Sequence, residues 1–126
     1  MKKLLLAGAA LAMIAGAASA ERYVMITHTQ GTDPFWPVVE KGGRDAAAAV
    51  GATLEYNFDV SGDMAAMAAL IETAAASEPD GIIVSLPDAA ALGPAIKSAV
   101  ADGIPVITMN SGLESSAELG ALMHVG

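Results

Sequence analysis

The sequence predicts an open, doubly wound parallel α/β sheet. Four short apolar runs rich in strand-forming residues begin at 23, 53, 81 and 105, spaced 30, 28 and 24 residues apart. One segment of helical periodicity lies between each successive pair. Strands alternating with single helices at this period make βαβ units and a parallel sheet. Right-handed crossovers then fix the winding, and a strand order of 2-1-3-4-5 is expected.

Each element has its own signal. Tyr23 to Thr27 reads as a buried strand, Thr53 to Asn57 as an alternating one, Gly81 to Ser85 as apolar throughout, and Pro105 to Met109 as the fourth. A weaker fifth strand starts near Gly120. The first helix runs from Phe35 to Val50, with Trp36, Val39, Gly43, Ala46, Ala47 and Val50 on one face. Asp33 is its expected N-cap, Pro34 occupies the proline-tolerant first position, and Gly51 stops it. The second runs from Asp63 to Ser77, with Met64, Met67, Ala68, Ile71 and Ala75 inward and Ser61 or Gly62 near the cap. The third runs from Asp88 to Ala101, with Leu92, Ile96, Ala99 and Val100 inward. The methionines at this spacing read as core.

Residues 1–20 read as a cleaved secretory signal: basic Lys2-Lys3, an uncharged run from Leu4, and Ala18-Ser19-Ala20 as the exit before Glu21. Cleavage there leaves 106 residues, the 126 less 20. It removes two of the six Lys and Arg and none of the 14 Asp and Glu, so the net charge moves from −8 to −10. Four scattered bases make no basic stripe, which argues against nucleic acid. With no cysteine, thiol catalysis, thiolate metal sites and a lipid-anchored N-terminus are excluded, and a soluble periplasmic location is expected.

Ligands of open α/β sheets bind outside the carboxyl ends of the strands, near the switch point. That rule selects the loops at 28–36, 85–88 and 110–112. They offer Asp33, Asp88, Asn110, Ser85, Ser111, Thr29 and Gln30 as hydrogen-bonding groups, with Phe35 and Trp36 as flat apolar faces. Carboxylates and carboxamides bridge adjacent hydroxyls, and aromatic rings cover the C–H face of a sugar, so a neutral polyhydroxy ligand fits. The loops hold no Lys, Arg, G-x-G-x-x-G or P-loop, so a phosphate does not. Asp33 and Asp88 can each serve as a helix cap, a ligand contact or both. Both aromatic rings are expected near the ligand, with one packing down as the alternative. His28 and His124 lack acidic partners at ligand spacing, so no metal is expected, and no cofactor. There is no G-x-S-x-G, no H-E-x-x-H and no convincing Ser/His/Asp set, so no enzyme activity is expected.

Three stretches in order carry a family likeness: Asp33-Pro34-Phe35-Trp36, the run from Pro79 to Asp88, and the run from Ala99 to Gly112. With His124-Val125-Gly126 they resemble the N-terminal lobe of periplasmic sugar-binding proteins of bacterial ABC transporters, the ribose-binding-protein-like group. The resemblance implies that Phe35 and Trp36 stack on a sugar. It implies that Asp33 stands where the family often has Asn, and Asn110 where many members have Asp. It further implies two lobes closing on the ligand and delivery to a membrane permease, with a chemoreceptor or kinase as a second partner in some members. On this reading 21–126 is part of one N-terminal lobe. A sugar-sensing module and a small secreted α/β enzyme are the alternative readings.

Overall fold

The computed structural model describes residues 19–28 and 32–126. The expected signal therefore lies almost wholly outside the described residues, as do Thr29, Gln30 and Gly31. The strands are β1 (Arg22–Thr27), β2 (Thr53–Phe58), β3 (Gly81–Ser85), β4 (Val106–Met109) and β5 (Met123–Val125). The helices are α1 (Phe35–Ala49), α2 (Met64–Ala76), α3 (Ala89–Ala101) and the single turn α4 (Leu113–Ser116). All five strands pair in parallel in the order β2-β1-β3-β4-β5, as the spacing predicts.

Side chains alternate across the strands, so successive β1 residues serve different layers. Val24 and Ile26, with Ile82, Val84 and Val106, meet Met67 and Ile71 of α2 and Leu92, Ile96 and Ala99 of α3. Met25 points the other way and packs with Trp36 of α1 and Met109 of β4. The larger core thus lies under α2 and α3, while α1 covers β1 and β2 nearly alone.

That imbalance corrects two expected core positions. Ala46 is exposed and Val50 is 75% exposed. They lie on α1 beside β3 and β4, where no second helix lies among the described residues, and with Tyr23, Ile83, Ile107 and Leu122 they line an open apolar groove. The cap of α2 is also corrected. Asp63, not Ser61 or Gly62, accepts from the backbone N–H groups of Ala65 and Ala66 at 2.7 and 3.3 Å. Asp59 organises the turn before it, accepting from the N–H groups of Ser61 and Asp63 and from the Ser61 hydroxyl. Those bonds favour the charged carboxylate and hold its pKa below the ordinary value. Among the described residues no helix is long and apolar enough to cross a membrane.

A candidate ligand-binding edge at the carboxyl ends of the strands

The strand order makes β1, β3 and β4 neighbours, so the loops that follow them share one edge. Two strand spacings separate β1 from β4, about 10 Å. That is the scale of one sugar ring with its hydroxyls. Asp33, Phe35 and Trp36 follow β1, Asp88 follows β3, and Asn110 follows β4 directly.

The two aromatic side chains divide their roles. Phe35 is 48% exposed at the first position of α1. Trp36 is 3% exposed and packs down on Met25 and Met109. One ring thus packs down while the other stays exposed, the alternative arrangement that the sequence leaves open. Consecutive helical residues lie about 100° apart, so one ring enters the core while the other stays on the rim. They meet edge to face, with centroids 5.0 Å apart and planes at 80°.

Asp88 caps α3, whereas the expected cap of α1 is corrected: the helix begins at Phe35, so Pro34 and not Asp33 is its N-cap, without a side-chain cap bond, and Asp33 makes a turn bond instead. Asp33 Oδ1 accepts from the Phe35 N–H at 2.9 Å, while Pro34 holds the backbone position that precedes α1. Asp88 Oδ1 accepts from the N–H groups of Ala90 and Ala91 at 3.0 and 2.9 Å. Both side chains are on exposed residues, so the second oxygen of each can serve a ligand.

Asn110 sits in the left-handed region at φ 65°, a conformation that Asn tolerates better than most residues. Its N–H donates to the Val125 carbonyl at 2.8 Å, which ties the loop to β5. The residue is exposed, and among the described residues its amide side chain makes no hydrogen bond. Beside it, the Ser111 Oγ is buried and has no partner among the described residues.

Ser85 is fully buried and committed to the fold, not offered to solvent. Its Oγ lies 3.1 Å from the His28 backbone nitrogen and 2.7 Å from His28 Nδ1. Thr27 is likewise buried, 2.7 Å from the Tyr56 hydroxyl. His28, which sequence reasoning set aside with the metal question, is therefore the centre of a local network. Burial pushes its pKa below the ordinary histidine value, against a smaller opposing pull from Asp33. Its signal in the sequence was only its place, one residue beyond a buried strand. Among the described residues no group of three or more His, Asp or Glu is placed to hold a metal.

Residues 23–126 match the periplasmic binding protein domain. The fold is also found in solved structures. A carbohydrate transporter from Acidothermus cellulolyticus, in complex with myo-inositol, is 45% identical with a TM-score of 0.80, covering 84% of this chain and 36% of that one. A periplasmic ribose ABC transporter from Conexibacter woesei is 34% identical with a TM-score of 0.77, covering 89% and 36%. A sugar-binding protein of a sugar ABC transporter from Bacillus halodurans is 34% identical with a TM-score of 0.76, covering 84% and 35%. The chain thus spans about a third of the length of these structures. No curated protein matches it.

Proposed function

The chain belongs to the periplasmic binding protein domain family, and from that premise we propose that it captures a sugar or polyol for import by an ABC transporter. The carrying observation is the edge itself. Among the described residues, an exposed aromatic ring, two half-used carboxylates and a free carboxamide follow three adjacent strands, with no cation among them. Phe35 is assigned the C–H face of the sugar, and Asp33, Asp88 and Asn110 its hydroxyls. Trp36 forms the floor beneath Phe35.

Asp33 and Asp88 offer only acceptors, while Asn110 both accepts and donates. Sugar hydroxyls supply the donors such a set needs. A phosphorylated sugar would bring its anion to two carboxylates on a chain of net charge −8. The ligand is therefore a neutral polyol, and the reading is of binding without turnover. The edge supplies one wall, and sites that hold small ligands tightly enclose 70–90% of the ligand surface. The second wall is assigned to a second lobe, in keeping with 21–126 being part of an N-terminal lobe. Export through a signal at 1–20 places the protein in the periplasm, facing a membrane permease.

Calorimetric titration of the exported protein with myo-inositol, ribose and galactose tests this, with an amino acid and a sugar phosphate as controls. Binding of a neutral sugar or polyol, weakened at least tenfold in Phe35→Ala, is expected. Binding of the amino acid or the phosphate in preference to every sugar would refute the reading.

A further inference from the structure

Three rings at the exit of β1 form a chain that begins on the sheet. Ser85 closes β3 and is fully buried. Its Oγ faces both the backbone N–H and Nδ1 of His28. The backbone N–H can only donate, so the serine oxygen accepts from it. The serine proton then needs an acceptor, and Nδ1 lies 2.7 Å away. That assignment puts the ring hydrogen on Nε2 and leaves the imidazole neutral. The histidine is thereby held at two points by one hydroxyl.

So held, the His28 ring meets Trp36 edge to face, with centroids 5.1 Å apart and planes at 77°. Trp36 passes the same geometry on to Phe35. The order is thus buried serine, clamped histidine, buried tryptophan, exposed phenylalanine. We propose that His28 is a positioning residue: clamped by Ser85, it fixes Trp36, and through Trp36 it sets the angle of the Phe35 ring that covers the ligand. The proposal rests on the sugar-binding reading for its purpose, but not for its geometry. One edge-to-face pair is worth about a twofold to tenfold change in an equilibrium.

Trp36 is the only tryptophan, so its optical signals report this cluster directly. The test compares the exported wild-type protein with His28→Ala, His28→Phe and Ser85→Ala, each checked for folding by far-ultraviolet circular dichroism. In His28→Ala without ligand, acrylamide quenching of Trp36 should rise at least twofold and its near-ultraviolet band should weaken. Affinity for myo-inositol or ribose, whichever the wild type binds, should fall about threefold to tenfold. His28→Phe keeps a ring against Trp36 and should recover both signals to within twofold. Ser85→Ala should shift them in the same direction as His28→Ala by less, and it carries the test if His28→Ala does not fold.

Unchanged Trp36 signals in His28→Ala would overturn the proposal, as would weakened sugar binding with those signals intact, since His28 would then touch the ligand itself. If the wild type binds no sugar while Trp36 responds as expected, the clamp stands and the sugar reading alone falls.

Discussion

Replacing Gly112 with alanine tests how tightly the Asn110 loop is built. Gly112 has φ 82°, a conformation that costs an L-residue about 1–2 kcal/mol. A Cβ there would lie 2.5 Å from the Leu86 carbonyl oxygen and 2.6 and 2.7 Å from its Cγ and Cβ. Carbon and oxygen ordinarily approach no nearer than about 3.3 Å. Leu86 is 1% exposed and sits between β3 and the Asp88 cap, so it has no room to yield. Forced overpacking of this kind costs about 1–3 kcal/mol. The loss for Gly112→Ala is therefore about 2–5 kcal/mol in all.

Two internal controls isolate the clash. Gly51 and Gly103 have φ 74° and 83°, with nothing within 4 Å of an added Cβ. Their alanine variants should lose only the backbone part, about 1–2 kcal/mol. Equilibrium urea unfolding measures all three, and a loss of about 3 kcal/mol lowers the midpoint by about 1–3 M. Gly112 also accepts at its carbonyl from the N–H groups of Ser115 and Ser116, so its displacement drags α4 and the Asn110 loop together. Sugar affinity should consequently fall in Gly112→Ala and hold in Gly51→Ala. Equal stability losses at Gly112 and Gly51 would refute the reasoning.

The two rings should separate stability from binding: Trp36→Ala costs about 3–5 kcal/mol by urea unfolding as a buried aromatic, while Phe35→Ala costs far less and weakens sugar binding most. At Asp88, alanine should cost about 1 kcal/mol and serine should restore the cap; titration calorimetry of the serine variant then shows whether the second carboxylate oxygen is a ligand group, because affinity stays low only if it is. The lowered pKa of His28 means that the unfolded chain takes up its proton at higher pH than the folded one. Its contribution to stability is full above about pH 6.5 and is lost as pH falls through the folded value. Urea unfolding at pH 8 and pH 5 should show a smaller acid loss in His28→Phe than in the wild type.

The fold was largely legible because it depends on patterns that single residues do not spoil. Strand spacing and right-handed crossovers were enough for the order β2-β1-β3-β4-β5, and Gly81–Ser85 was read to the residue. The single-turn α4 was not legible, because Leu113–Ser116 is too short to show a period. Ala46 and Val50 were misplaced because periodicity says which face of a helix is apolar, not whether a neighbour covers all of it. At the candidate site, the topology rule brings three loops to one edge but does not divide labour within them. Phe35 and Trp36 look equivalent in sequence, and only the turn of the helix sends one inward. Ser85 looked like a ligand group because its partner, His28, lies 57 residues away.

That division of labour limits the polar atoms which the described residues leave free at this edge. A polar atom at a strand end first has to satisfy the backbone that ends there, since buried donors and acceptors are costly to leave unpaired. The Ser85 hydroxyl serves the His28 N–H and ring, the Thr27 hydroxyl pairs with that of Tyr56, and Asp33 and Asp88 each spend one carboxylate oxygen on backbone N–H groups. Among the described residues, the proposed binding atoms that remain on the rim are one oxygen from each aspartate and the amide of Asn110. On the proposed sugar-binding reading, those few atoms select weakly alone, so the orientation of Phe35 carries a large share of the recognition. A ring on the first residue of a helix preceded by Pro34, with no side-chain cap from that position, has little to hold it except its neighbour. In the proposed arrangement, a buried tryptophan behind it, and a clamped histidine behind the tryptophan, fix the ring without spending any of the polar atoms assigned to the ligand.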